Sequence, residues 1–302
     1  MSKRHAVVVI GSGITGLHAA RQALQSGLGT AILEAQICGG LVLNVNHLDG
    51  DITGSGIDLA TGLMADLIEL GADRIEAGAT AIVRDGADLI VESEAGRHRA
   101  GAVIIASGAR FKRLGIPGES ELEERGVSHC AECDGPLYQQ QDVVVAGGGD
   151  SALQEALVLA QFARQVHLVH RGGQFRAQPH LAAQVAAQPN IAVHWRTCVE
   201  TVLGAQSVQA VRVKHQDEGT QQDIPCAGFF VYVGLQPAAE FVPAAVLRDP
   251  AGFLVTGAAM ETAMPGVFAA GAVRAGCGGM LTHAIAEGIA AAQAVRALHF
   301  AE

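Results

Sequence analysis

The feature that most constrains this chain is a unit that occurs twice: a short apolar strand, a glycine-rich turn, a helix and a second strand. The first copy runs through His5–Ile10, the turn Gly11-Ser-Gly13-Ile-Thr-Gly16, a helix over Leu17–Gln25 and a strand over Thr30–Leu33. The second runs through Asp142–Ala146, the turn Gly147-Gly-Gly149-Asp-Ser-Ala152, a helix over Leu153–Ala163 and a strand over Val166–Val169, roughly 135 residues further on. Closely spaced glycines between a strand and a helix leave bare backbone N–H groups at the helix N-terminus, where anions are favoured. A chain of 302 residues suits two domains better than one. The fold class expected is therefore α/β, with two Rossmann-like dinucleotide-binding domains, each a three-layer ββα arrangement.

At the first turn each glycine has its own task. Gly11 permits the tight turn, Gly13 lets a pyrophosphate approach the backbone, and Gly16 lets helix and strand pack. Glu34 ends the second strand, 18 residues after Gly16. A carboxylate there accepts hydrogen bonds from a ribose 2′-OH and repels a 2′-phosphate, so this site takes FAD or NAD rather than NADP. At the second turn Gly147 and Gly149 recur, Asp150 and Ser151 follow, and Ala152 stands in the third place. The next strand ends Val169-His170-Arg171 with no acid, and Arg176 follows. Guanidinium groups bind phosphate through charged, bidentate hydrogen bonds. The second site therefore leans toward NADPH, with NADH possible; solvated surface arginines are the plain alternative.

Of six cysteines only Cys130 and Cys133 are close in sequence. In a reducing compartment a lone Cys-x-x-Cys is redox or metal chemistry rather than a structural staple. A zinc site needs two further ligands at suitable spacing, and no second Cys-x-x-Cys exists, so no metal is expected. A disulfide at this spacing often lies at a helix N-terminus, which lowers a thiol pKa. Asp134 follows directly and can shuttle a proton. Cys38, which precedes Gly39-Gly40, and Cys277 and His283 in the tail are expected to be packing residues. The net charge of −10 argues against a nucleic-acid partner. No apolar run reaches the ~18 residues of a membrane span, and a soluble, cytoplasmic protein is expected.

Taken together, the motifs resemble the low-molecular-weight thioredoxin reductases over nearly the whole chain. The resemblance rests on both glycine turns, Gly39-Gly40, Ile116-Pro-Gly-Glu119, Gly126-Val-Ser-His-Cys-Ala-Glu-Cys-Asp-Gly135, Val169-His-Arg171 with Phe175-Arg-Ala177, Val233-Gly-Leu-Gln-Pro237 and Gly266-Val-Phe-Ala-Ala-Gly271. It implies a homodimer whose FAD domain, 1–115 and 242–302, is split by an inserted NADPH domain, 116–241. It also implies that Cys133 lies nearer the flavin, that Cys130 is its partner, and that Asp134 is the acid. Gly40 and Gly271 would then line the FAD site, and His170, Arg171 and Arg176 the nicotinamide site. Three departures stand out. Gly172 replaces one of three basic 2′-phosphate positions. Ala272 stands where the family has the ribityl-binding Asp after Gly271. Gly279 and Met280 stand in place of an Arg-Gln pair near the flavin ring.

Three functions follow. The first is a thioredoxin reductase-like flavoprotein passing electrons from NAD(P)H through FAD to Cys130–Cys133 and on to a thioredoxin-like or small disulfide substrate. The second, motivated by the altered tail and Gly172, is a relative with another donor (ferredoxin or a flavin) or a dithiol oxidase. The third is a non-enzymatic nucleotide-binding redox sensor, motivated by the missing Asp. The intact second glycine turn weighs against the second, and the paired cysteines against the third.

Overall fold

The computed structural model describes residues 3–45, 48 and 54–299. The chain forms two compact units, Met1–Arg110 with Gln236–Glu302, and Phe111–Leu235. These boundaries fall earlier than 115/116 and 241/242, and local packing explains why. Phe111 stacks on His129 at 5.3 Å and meets Tyr232 edge-on, so it already belongs to the second unit. On the return, the Ala238 N–H donates to the Gly108 carbonyl and the Ser107 hydroxyl to the Ala238 carbonyl, which ties the chain to the first unit.

In the first unit the expected strand–turn–helix–strand opening is present as Arg4–Ile10, Ile14–Gln25 and Thr30–Leu33. Val7 pairs with Thr30 and Ile10 with Leu33, in parallel. Alternation sorts the side chains of Arg4–Ile10. Val7 and Val9 pack with Leu17, Leu67, Phe268 and Val295 on the helical face, while Val8 and Ile10 pack with Leu89, Val91, Val246 and Leu254 on the other. The helical face carries Ile14–Gln25, Gly56–Glu69 and Leu281–His299. The strands expected over Ile75–Val91, broken at Asp85-Gly86, are present as Ala79–Asp85 and Asp88–Ser93, paired antiparallel. The separate strand expected over Ala102–Ala106 is the end of one long strand, Gly96–Ile105. On one side it runs parallel to Arg4–Ile10. On the other it pairs antiparallel with Asp88–Ser93, then parallel with Val267–Ala269. Only its second half is consistently buried, so only that half showed as an apolar run.

The second unit repeats the plan with a parallel sheet in the order Ile191–His194, Gln165–Val169, Asp142–Gly147, Gly228–Tyr232, Val127–Ser128. The helices Asp150–Leu159 and Pro179–Ala187 supply Leu153, Leu159 and Leu181 to one core. Opposite them lies an antiparallel sheet of Thr197–Leu203, Ala210–His215 and Gln221–Pro225, of which sequence caught only the middle strand. Gln221–Pro225 escaped notice because only Ile224 in it is buried. Among the described residues no helix is long and apolar enough to cross a membrane.

Candidate functional site

At the first turn the three glycines divide between packing and openness. Gly11 has φ +99°, and a Cβ there would lie 2.5 Å from the Ala106 carbonyl oxygen. A Cβ at Gly16 would overlap the Gly11 carbonyl. Both positions are demanded by the fold. A Cβ at Gly13 would meet only the Gly39 oxygen, at 3.8 Å. Gly13 is also the N-cap of Ile14–Gln25 and offers that helix no side-chain hydrogen bond, whereas Gly56–Glu69 is closed by a Ser55–Asp58 capping box. Bare amides at an uncapped helix start suit a pyrophosphate. Glu34 is held beside them: its Oε2 accepts the Ser12 N–H at 2.7 Å and the Ser12 hydroxyl at 2.9 Å, and its Oε1 accepts the Gln36 N–H at 2.9 Å. A cleft of about 170 Å³ lined by Ser12, Glu34, Cys38, Met64 and Arg74 adjoins it. Cys38 donates to the Ser12 carbonyl at 3.6 Å, and burial pushes its thiol pKa up, which agrees with a packing role. Gly40, with φ +61°, begins the short 3-10 turn Gly40–Asn44 beside Gly13.

The altered tail holds an ion pair that sequence reading passed over. Gly271, at φ +76°, packs so closely on Thr15 that a Cβ would overlap its hydroxyl. The Gly271 N–H donates to Glu287 Oε2 at 2.8 Å, so that amide is already used by the protein. Arg274 Nε donates to the same oxygen at 3.1 Å, and its other nitrogen pairs with Glu287 Oε1. The two side chains are 16% and 11% exposed, so they form a largely buried pair that ties the loop bearing Ala272 to the helix Leu281–His299. Cys277 lies in that loop, and burial pushes its thiol up too. The only signal in the sequence was a lone Arg and a lone Glu flanking a glycine-rich stretch.

At the second turn a Cβ on Gly149 would meet nothing within 4 Å, and Gly149 again starts its helix without a side-chain cap. His170 lies under the turn rather than facing out. It is buried, a Cβ on Gly148 would overlap its ring, and its Nε2–H donates to the Gln174 carbonyl at 3.0 Å. Asp150 is likewise occupied, accepting the Gln178 N–H at 2.7 Å and its side-chain amide at 3.2 Å. Ser151 is exposed beside the turn and Ala152 is buried in the core. Arg171 and Arg176 are both exposed. Among the described residues they are the two arginines whose side chains have no hydrogen-bond or ion-pair partner. Arg196 joins them unannounced by any motif. Its N–H donates to the Gly172 carbonyl at 3.0 Å, a Cβ on Gly173 would sit 3.4 Å from its Nε, and it pairs with Asp217 at 2.6 Å.

Cys130 and Cys133 form a disulfide with their Cα atoms 5.3 Å apart. Cys130 caps the one-turn helix Ala131–Asp134, and its sulfur accepts the Cys133 N–H at 3.1 Å. The Cys130 N–H donates to the Ser128 hydroxyl at 3.1 Å, and the His129 ring donates to the Val231 carbonyl at 3.1 Å. Cys133 is exposed and Asp134 half-buried at the end of the same turn. Cys226, buried elsewhere, is pushed up to about 12 by desolvation, which keeps it a thiol.

Residues 5–294 match the pyridine nucleotide-disulphide oxidoreductase family. The chain belongs to that family. It is 36% identical to a thioredoxin reductase of Treponema pallidum, over 97% of each chain. Among solved structures it resembles the thioredoxin reductase of Lactococcus lactis, with a TM-score of 0.92, 34% identity and coverage of 99% and 100% of the two chains. A thioredoxin reductase of T. acidophilum gives a TM-score of 0.90 at 27% identity, again over 99% and 100%. The resemblance seen in the motifs thus extends to the whole fold. This pyridine nucleotide-disulphide oxidoreductase is an FAD-dependent enzyme that works with a nicotinamide nucleotide and a redox-active disulfide. The two open glycine turns fit two dinucleotides, and the closed Cys130–Cys133 pair fits the disulfide.

Proposed function

We propose that this enzyme uses NADPH to reduce the disulfide of a thioredoxin-like protein, by way of FAD and the Cys130–Cys133 pair. The observation that carries the donor assignment is the exposed, partnerless state of Arg171 and Arg176 beside an uncapped glycine turn. Two unpaired guanidiniums in one loop are the chemistry of a 2′-phosphate site. Arg196, lying against Gly173 and paired with Asp217, is a third guanidinium near the place where Gly172 has no side chain. In this reading the first unit holds FAD and the second holds NADPH.

FAD, when bound, supplies the two-electron relay between nicotinamide and disulfide. Around it the chain binds and orients. Gly13 and the first amides of Ile14–Gln25 take the pyrophosphate, and Glu34 accepts the ribose hydroxyls. Gly11, Gly16 and Gly271 shape the site by packing, and Gly40 continues its wall. Gly147, Gly149, Ser151 and Ala152 form the second cradle, with His170 as its floor and Asp150 tethering the following helix. Cys130 and Cys133 open and close, and Asp134 holds or delivers a proton at a cysteine sulfur. A homodimer in the cytoplasm is part of the same proposal.

The test is rapid-mixing reduction of the bound flavin by NADPH and by NADH, followed by turnover with thioredoxin or a small aromatic disulfide. NADPH should act at least tenfold more efficiently than NADH. Absence of flavin reduction by either nucleotide would point instead to another donor such as ferredoxin.

A further inference from the structure

One carboxylate beside the disulfide has no part in the roles assigned so far. Glu155 stands in Asp150–Leu159, the helix that opens on the second glycine turn. Its Oε2 accepts the Ala131 N–H at 3.0 Å and the Tyr232 hydroxyl at 3.2 Å. The same Ala131 N–H also reaches the Tyr232 oxygen, at 3.1 Å. Ala131 follows Cys130 directly and is fully buried, so the Glu155–Tyr232 couple grips the backbone between the two sulfurs. Tyr232 ends the strand Gly228–Tyr232, and its carbonyl lies against Gly147, where a Cβ would come within 2.5 Å of it. Its backbone therefore touches the nucleotide turn while its hydroxyl touches the disulfide turn.

We propose that Glu155, steadied by Tyr232, is a positioning residue for the Cys130–Cys133 pair. It fixes the Ala131 amide so that the sulfurs keep their spacing, and its half-buried charge restrains ionisation of the thiols once the disulfide is open. This rests on the reading of the pair as redox-active.

A carboxylate accepting a backbone N–H and a phenol is a strong, charge-assisted anchor. A nearby negative charge raises a thiol pKa. None of the partners found for Glu155 is a cation. It faces Tyr232 from the strand and Glu132 from the disulfide turn, with Asp134 acting on Tyr232 from the same turn; His129 is engaged with Val231. Burial first, and Glu132 after it, push the Glu155 carboxyl above its ordinary range, while the Ala131 and Tyr232 hydrogen bonds draw it back.

The experiment compares the parent holoenzyme with Glu155→Gln, Glu155→Ala and Tyr232→Phe. Each is reduced with dithiothreitol, freed of reductant under argon, and alkylated with iodoacetamide across pH, with peptide-resolved mass spectrometry reading Cys130 and Cys133 apart from the other four cysteines. Glu155→Gln keeps an acceptor for Ala131 but loses the charge. Its alkylation midpoint should fall by about one pH unit, a roughly tenfold gain in thiolate at a fixed pH below the midpoint. Glu155→Ala should slow disulfide turnover about tenfold or more, while NADPH still reduces its flavin at the parent's rate. Tyr232→Phe should fall between the two. A midpoint in Glu155→Gln equal to the parent's would overturn the proposal, because a purely structural residue predicts that result. A parent whose Cys130–Cys133 disulfide resists dithiothreitol and every donor would overturn the underlying reading and this proposal with it.

Discussion

Replacing Gly13 by alanine should separate ligand binding from folding. The Gly13 backbone, at φ −68° and ψ 176°, is one that alanine adopts freely. The added Cβ would have the Gly39 oxygen as its nearest neighbour, at an ordinary 3.8 Å. Losing glycine's freedom in the unfolded chain favours the variant by ~0.4–1 kcal/mol. Alanine's poor N-cap character opposes it by a similar ~0.5–1 kcal/mol. The apoprotein should therefore melt within about 3 °C of the parent. The cofactor meets a different situation, because the methyl stands where pyrophosphate oxygens reach the bare amides. Loss of one charged hydrogen bond costs ~1.5–3 kcal/mol, or about ten- to a hundredfold in FAD affinity. Gly16→Ala is the control, since its Cβ would overlap the Gly11 carbonyl inside the protein. Overpacking of that kind costs ~1–3 kcal/mol or more and should lower the melting temperature whether or not FAD is present. The assay is flavin titration of apoprotein beside calorimetric melting. Parent-like FAD affinity in Gly13→Ala, or equal destabilisation by both substitutions, would refute the reasoning.

Three other outcomes are expected. Arg171→Gln and Arg176→Gln should each raise the KM for NADPH about tenfold, the loss of a charged hydrogen bond, and leave that for NADH unchanged in steady-state assays. Arg274→Met should strand Glu287 in a largely buried setting and destabilise the first unit by ~2–4 kcal/mol, read as a lower melting temperature that Arg274→Met with Glu287→Leu partly restores. Burial depresses the pKa of His167 and His194, whose rings share a 3.1 Å hydrogen bond. Between 6.5 and their lower folded values the unfolded chain binds more protons than the folded one, so stability is lost as pH falls through that window; His167→Asn should flatten the decline in melting temperature below pH 6.5.

The sequence displayed what depends on local spacing. Both glycine turns and the cysteine pair follow from residues within a few positions of one another, and Glu34 from its fixed place at the end of the next strand. What it hid depends on long-range packing. Glu155 and Tyr232 meet at Ala131 across gaps of 24 and 101 residues, and no spacing rule joins them. Arg274 and Glu287 form their pair only because Leu281–His299 packs on the first helix beside Gly271. His170 and Asp150 stood in the motif as ligand residues; Nε2 of His170 goes to Gln174 and the Asp150 carboxylate to Gln178, which braces from behind a turn that keeps its glycines bare. Strand Gly96–Ile105 was cut short because its first residues, Gly96–Arg99, are polar and not buried, so that half carries no apolar run.

Anaerobic reductive titration of the FAD-loaded enzyme tests the electron path most directly. Flavin and disulfide each take two electrons, so the parent should accept about four per chain, and Cys130→Ser with Cys133→Ser about two. An uptake of two electrons by both proteins would mean that the cysteine pair does not receive electrons from the flavin.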